Sequence, residues 1–229
     1  MIKEIYSNTQ SAFDVYEKLL LEWNEKINLT AITDHDEIVA KHFLDSLSPL
    51  DFRDFKDKYV IDVGTGAGFP GLPLKIAVPE MRLCLMDSLN KRINFLNEAV
   101  NTLGLNDVEC VHSRAEDGGR DKKYREKFDF AVSRAVAPLN VLAEYDLPFV
   151  KPGGEMIALK GPAAFDEITQ AEKAIAALGG EISGVETVVL NTKQADEKIE
   201  HKIVFIKKVR HTPEKYPRKA TKISKNPIV

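Results

Sequence analysis

The stretch VIDVGTGAGFPGLPL at 60–74 places four glycines, Gly64, Gly66, Gly68 and Gly71, within eight positions, directly after an apolar run. A backbone stripped of side chains at that density must turn tightly or approach something closely. The run before it, YVIDV at 59–63, reads as a short strand, and LPLKIAV at 72–78 reads as a helix with Pro73 tolerated in its first turn. A strand, a glycine loop and a helix in that order open a parallel α/β sheet, in which ligands bind beyond the C-terminal ends of the strands.

The alternation continues along the chain. MRLCLMD (81–87) predicts a second strand, and NKRINFLNEAVNTLG (90–104) a helix with Ile93, Leu96, Val100 and Leu103 facing inward and Gly104 at its C-terminus. VECVH (108–112) and FDFAVS (128–133) are the third and fourth strands, PLNVLAEYDLPFV (138–150) is helix-like, and GEMIALK (154–160) is the fifth strand. AFDEITQAEKAIAALGG (164–180) predicts a helix ending in two glycines, ahead of two closing strands, VETVVL (185–190) and HKIVFIKKV (201–209). Such a pattern means a parallel sheet with helices on both faces, and the closing pair predicts an antiparallel edge strand at the end. Ahead of the sheet, 1–50 reads as helical. Phe13, Tyr16, Leu20, Trp23 and Ile27 form one apolar stripe; a second helix starts near Asp34 or Asp36, runs through Ile38, Val39, Phe43 and Leu47, and stops by Pro49. The tail at 211–229 has three prolines and little periodicity and reads as irregular.

The 229 residues predict one domain, and 44% hydrophobic with 29% charged residues is ordinary for a soluble globular chain. A net charge of −3 argues against nucleic acid, but from Lys202 to Val229 nine Lys/Arg stand against one acid, Glu214. That basic end is either a phosphate-contacting surface or a solvated tail. Cys84 and Cys110 sit in apolar runs without a CxxC pair, and the five histidines show no metal-ligand spacing, so no metal is expected. The N-terminus lacks the apolar core of a signal peptide and no stretch nears ~18 uninterrupted apolar residues, so the expected location is cytoplasmic.

Three nucleotide ligands compete for the glycine loop. Gly66 to Gly71 has the spacing of a phosphate loop, but Leu72 and Pro73 stand where the lysine and the hydroxyl residue belong, which rules that reading out. The dinucleotide fingerprint GxGxxG is present as Gly66, Gly68 and Gly71, with Asp87 21 residues beyond Gly66 as a ribose-binding acid; Pro70, however, sits where the diphosphate-facing helix should begin. Read from Asp62, the same letters give an acid two before Gly64, as in the S-adenosylmethionine loop of class I methyltransferases. That cofactor carries an ammonium and a sulfonium and no diphosphate, so an acid beside the loop attracts it, while Asp87 takes both ribose hydroxyls. Glu116, just past strand three, is placed for the adenine amino group, and a KPGG turn at 151–154 enters strand five as it often does in methyltransferases.

On WNEKINLTAI (23–32), KHFLDSL (41–47), IDVGTGAGFPGLPL (61–74), DSLNKRINFL (87–96), SRAE (113–116), SRAVAPL (133–139) and LKG (159–161), the chain closely resembles the bacterial small-subunit ribosomal RNA guanine-N7 methyltransferases, the glucose-inhibited division protein B family, over nearly its whole length. The resemblance implies methyl transfer from S-adenosyl-L-methionine to N7 of one guanine in 16S ribosomal RNA. It implies cofactor contacts from Gly64, Phe69, Asp87, Ser88, Leu89, Ala115, Glu116 and Arg134. Phe69 either packs on the cofactor or seals the loop as a core residue. The basic segment at 216–228 resembles the end of many but not all members. The implied fold is α/β, a Rossmann-like class I methyltransferase: a seven-stranded, mostly parallel sheet with an antiparallel last strand, helices on both faces and an N-terminal helical extension. Within one domain spanning 1–229, the extension covers 1–57, the core 58–209 and the basic tail 210–229.

Guanine N7 carries a lone pair and no proton, so its methylation needs no general base; the enzyme aligns the reacting atoms and excludes water. The sequence accordingly lacks the Asp/Asn/Ser-Pro-Pro-Tyr/Phe motif of amine methylation after strand four, and a Pro-Cys nucleophile. Arg134 stands there as the expected positioning residue. It offers two donors to a guanine edge or a phosphate, lines the cofactor pocket as in the family, or forms a plain surface ion pair. Lys41 and His42 lie near the RNA-facing mouth, or the histidine is a bonded core group. Asn24 and Asn28 share a helical face or cap the loop after the first helix. Lys160 faces the same rim as a phosphate-binding candidate. RNA is expected as a single strand or loop, because a duplex hides the base, with Phe69 and Tyr216 as candidate stackers and Lys215, Arg218 and Lys219 as phosphate contacts. The expected partners are 16S ribosomal RNA or the small ribosomal subunit, with no membrane, no metal and a monomeric chain. An NAD-dependent oxidoreductase and a non-catalytic S-adenosylmethionine-binding RNA factor stay open as alternatives.

Overall fold

The computed structural model describes residues 1–191 and 198–229. Two helices, α1 (Ile2–Asn8) and α2 (Gln10–Ile27), lead into α3 (His35–Glu37), a π-helical segment over Ile38–Leu44, α4 (Asp45–Leu47) and a 3₁₀ turn at Ser48–Asp51. The α2 stripe is real: Phe13, Tyr16 and Leu20 are buried, and Trp23 packs edge-on against Phe95 with centroids 5.8 Å apart. Asp34 caps α3 by accepting the Glu37 N–H at 3.1 Å. Asn28, at φ +51°, ends α2, and Asn24 Oδ1 accepts from Thr30 N at 2.8 Å, so the pair caps the loop.

Seven strands follow: β1 (Tyr59–Val63), β2 (Arg82–Asp87), β3 (Val108–His112), β4 (Phe128–Arg134), β5 (Val150–Lys160), β6 (Gly180–Asn191) and β7 (Lys198–Lys208). They form one sheet in the order β3-β2-β1-β4-β5-β7-β6. The first five pair in parallel, while β7 runs antiparallel to both β5 and β6. The last strand is thus antiparallel as expected, but it is inserted inside the sheet and leaves β6 outermost. Ile203, Val204, Phe205 and Ile206 explain this: consecutive apolar residues are buried on both faces, as an interior strand requires, whereas β6 turns Glu181, Glu186 and Thr187 to solvent. The KPGG turn lies within β5 as a bulge, since Val150 pairs with Phe128 and Glu155 with Phe130.

Around the sheet stand α5 (Gly71–Ala77), α6 (Asn90–Thr102), α7 (Ala115–Gly118), α8 (Leu139–Asp146) and α9 (Ala164–Ala177). Neighbouring strand residues alternate between two cores, as the pleat demands. Val60, Leu83, Ile157 and Phe205 join the core under the N-terminal helices, and Ile61, Cys84, Ala158 and Ile206 join the core under α8 and α9. Strand order reverses between β1 and β4, so the glycine loop and the end of β4 open onto one crevice.

The C-terminal segment is no free basic arm. It carries a helix the sequence did not reveal, α10 (Ala220–Lys225), and lies strapped across α7 and α8. Lys208 is fully buried, its Nζ bonded to the Leu147 carbonyl (2.6 Å) and Thr212 Oγ1 (2.7 Å), and burial lowers its pKa to about 8. Arg125 donates to the carbonyls of Thr212 (2.7 Å) and Tyr216 (2.9 Å). Arg218 forks onto Glu144, with Nε–Oε1 at 2.9 Å and Nη2–Oε2 at 2.7 Å, and the Glu144 side chain is 1% exposed. Tyr216 is buried in the α8/α9 core. Tyr216 and Arg218 are therefore unavailable for stacking and phosphate binding, which corrects the expected RNA roles of both; Lys215 and Lys219 remain exposed. Removing one partner of a buried ion pair leaves the other charge uncompensated. Arg218→Ala should thus lower stability by about 3 kcal/mol in urea denaturation, and Arg218→Lys should recover less than half, because one ammonium cannot reproduce the fork.

Candidate functional site

The glycine loop is held by two carboxylates. Gly64, Gly66 and Gly68 have φ of +68°, +62° and +96°, and a Cβ at Gly71 would lie 2.7 Å from Asp62 Oδ2. That oxygen accepts from the Thr65 hydroxyl and the Gly71 N–H, each at 2.7 Å, closing the loop on itself. Asp62 is fully buried and its other oxygen, Oδ1, has no hydrogen-bond partner among the described residues. Burial pushes this carboxyl up to about 7, against the pull of the two bonds. At the end of β2, Asp87 Oδ1 accepts from Leu89 N (2.9 Å), and Oδ2 from Gly66 N (3.0 Å) and Arg92 Nη1 (3.2 Å).

Beside Asp87 opens a cleft of about 300 Å³. Gly64, Asp87, Ser88, Ala115 and Glu116 line it, which brings together five of the expected cofactor residues. Leu89 contributes its backbone N–H to Asp87, and its side chain is exposed. Arg92, Val136 and Tyr145 also line it; Arg92 and Val136 fall within 87–96 and 133–139, segments that carry the resemblance, but none of the three was singled out as a contact. A Cβ on Gly64 would approach Val136 Cγ2 to 3.0 Å, so the wall there stands close to bare backbone. With the Asp87 and Glu116 carboxylates on its wall, the cleft suits a ligand bearing hydroxyl and amine donors.

Phe69 and Arg134 stand beyond that cleft, in a cluster built with the N-terminal extension. Arg134 Nη1 lies 2.6 Å from Asp45 Oδ2 and 3.0 Å from the Lys41 carbonyl, and its guanidinium lies 4.8 Å from the Phe69 ring centre. His42 stacks on the same ring at 4.6 Å. The π-helical turn makes this possible: the Asp45 N–H bonds to Ala40 in place of Lys41, and the Lys41 carbonyl accepts from Arg134. His42 Nε2 is 2.8 Å from Thr30 Oγ1 and Nδ1 is 3.4 Å from Arg134 Nη2, so a proton on Nε2 serves both contacts. Burial and the neighbouring guanidinium lower its pKa to about 4 and keep the ring neutral. Phe69 is thus a core residue sealing the loop, and Tyr16 anchors that loop from below through its hydroxyl to the Ala67 carbonyl.

A second cavity of about 200 Å³ lies on the far side of Arg134, bordered by Asp45, Lys160 and His201. His201 Nδ1 approaches Asp45 Oδ1 to 2.9 Å in an off-axis ion-pair contact. Burial opposes the Asp45 charge, but His201 and Arg134 together hold its carboxyl below the usual value. Lys160 Nζ is 2.6 Å from Glu167 Oε2 and 2.9 Å from the Ala137 carbonyl. Ala135, at φ +55°, borders both cavities. Among the described residues no group of three or more His, Cys, Asp or Glu is placed to hold a metal, and no helix is long and apolar enough to cross a membrane.

The family model described as rRNA small subunit methyltransferase G matches residues 9–209. Proteins named ribosomal RNA small subunit methyltransferase G from Alkaliphilus oremlandii and Clostridium kluyveri are 56% and 52% identical to this chain over 214 and 217 residues. These matches cover 93% and 94% of this chain and 88% and 89% of those proteins. Among solved structures, TYW2 of M. jannaschii in complex with AdoMet superposes with a TM-score of 0.56 at 14% identity, over 73% of this chain and 76% of that one, a likeness of fold.

Asp62→Asn keeps an oxygen for Thr65 and Gly71 and removes the charge. The carboxyl titrates near 7 in the folded protein against about 3.9 unfolded, so this group's contribution falls as pH rises from about 4 to 7. Without cofactor, Asp62→Asn should match the native protein near pH 4 and exceed it by about 1–3 kcal/mol above pH 7 in urea denaturation. Equal stabilities across that range would show that no buried charge is strained there.

Proposed function

The chain belongs to the rRNA small subunit methyltransferase G family, and from that membership we propose that it methylates N7 of a guanine in 16S ribosomal RNA, in the naked RNA or the small subunit. It is an S-adenosylmethionine-dependent methyltransferase of ribosomal RNA. When bound, the cofactor supplies an electrophilic methyl group on a sulfonium.

The residues of the first cleft fit this cofactor. Asp87 retains acceptor capacity beyond its three N–H donors and faces the ribose hydroxyls. Ala115, Glu116 and Ser88 flank the adenosine end. The unpartnered Asp62 Oδ1 opposes the ammonium of the methionine end, and the bare backbone at Gly64 lets that end lie close. Phe69 and Arg134 close the loop from outside and position it. Glu116 and Asp87 add negative potential to a cleft that receives a cation.

The N7 assignment is supported by the seam itself: among the described residues, the one bordering both cavities is Ala135, which carries no proton acceptor. The carboxylate of the second cavity, Asp45, is held ionised below the usual carboxylate range, which makes it a poor proton acceptor. A hydroxyl nucleophile would need a proton removed; guanine N7 brings its lone pair already free. The work left to the protein is alignment and exclusion of water.

Labelled S-adenosylmethionine with naked 16S RNA or with small subunits should give one labelled guanine, cleaved by the chemistry specific to N7-methylguanine. Transfer to another atom, or to no RNA, would overturn the reading; the second outcome would favour a non-catalytic RNA-binding factor. At saturating cofactor, kcat should stay flat from about pH 8 to 9, above the Asp62 titration near 7, because methylation of N7 removes no proton. Asp87→Asn should raise the cofactor Kd about tenfold, the cost of weakening a charge-assisted hydrogen bond, as read by titration calorimetry.

A further inference from the structure

We propose that the second cavity seats the target guanine and that Asp45 and Lys160 read its identity, an inference that rests on the guanine methylation proposed above. The cavity holds about 200 Å³, room for one purine, and it adjoins the cofactor cleft at Ala135, at the C-terminal end of β4. A base entering it presents N7 to that seam.

The orientation follows from the chemistry of the walls. With N7 at the seam, O6 lies beside it on the same edge and meets Arg134 and Lys160, both donors. N1–H and the N2 amine lie on the next edge and need an acceptor, and Asp45 is the carboxylate of this cavity. Each wall group is fixed yet not exhausted. Asp45 accepts from Arg134 and touches His201 but has about four acceptor positions, and Lys160 uses two of its three donors on Glu167 and Ala137. Adenine would turn its 6-amino donor toward the two cations and its N1 lone pair toward the Asp45 carboxylate, two unpaired contacts in a half-buried site. In the transfer itself, the N7 lone pair forms the bond to the methyl carbon while the carbon–sulfur pair returns to sulfur. No proton moves, and the guanine ring becomes cationic beside Asp45.

Inosine lacks only the N2 amine of guanine, so it isolates the contact assigned to Asp45. Once the labelled position is mapped, RNA carrying inosine there can be prepared by ligation and compared with the guanine RNA in whichever form, naked or assembled, is active. The native enzyme should favour guanine by about tenfold or more in kcat/KM. Asp45→Asn should narrow that preference to below about threefold with its cofactor Kd changed less than about twofold. Lys160→Met should slow both RNAs alike, because O6 is present in each. A native enzyme that labels guanine yet treats the two RNAs equally would overturn the pocket without requiring any variant to fold. So would an Asp45→Asn protein that keeps the full preference. A native enzyme that labels no guanine would instead overturn the reading on which the pocket rests.

Discussion

The contact between the Arg134 guanidinium and the Asp45 carboxylate bridges 89 residues of sequence and joins the N-terminal extension to the catalytic sheet. Both side chains are largely enclosed, so neither charge is tolerable alone. Around that pair the π-helical turn supplies a carbonyl, Phe69 supplies a flat face, and His42 and His201 fill the flanks. The extension is therefore a structural wall of the site. It closes the glycine loop from one side through Tyr16 and Phe69 and borders the second cavity from the other through Asp45.

The two most informative acids are perturbed in opposite directions. Asp62 is buried with one oxygen unmatched, and its carboxyl resists ionisation; Asp45 is nearly as enclosed but meets the Arg134 guanidinium and the His201 ring and stays ionised. The first carboxylate has no charged hydrogen-bond partner among the described residues, and the second has one in Arg134. The two cavities meet at Ala135 and differ in the charged groups on their walls. His42 is tied to Thr30 and Arg134 and is no proton carrier.

Local pattern revealed much of this fold. All seven strands were recognisable from their apolar segments, although β6 was read only over 185–190 because its first half, Gly180–Gly184, carries polar residues and glycines, and the α2 stripe repeats at helical spacing without interruption. The glycine loop and Asp87 announced the first cleft because its chemistry is concentrated within a few neighbouring segments. What could not be read depends on partners distant in sequence. The π turn within 38–44 leaves the Lys41 carbonyl to Arg134, a partner 93 residues away, so from local pattern the segment looked like plain α-helix. Asp45 and His201 acquire meaning only when α4 meets β7. The tail looked like a basic arm because Glu144 and Glu126, which neutralise Arg218 and Lys208, lie more than seventy residues upstream.

The placement of β7 between β5 and β6 has a consequence for how the protein is made. A ribosome delivers β6 first, yet β6 has no hydrogen-bonding partner in the finished sheet except β7. Until Lys198–Lys208 emerges, β5 therefore carries an open row of unpaired N–H and C=O groups, and Met156 through Leu159 beside it are as apolar as any in the core. The nascent chain holds this apolar edge uncovered through the synthesis of α9 and β6.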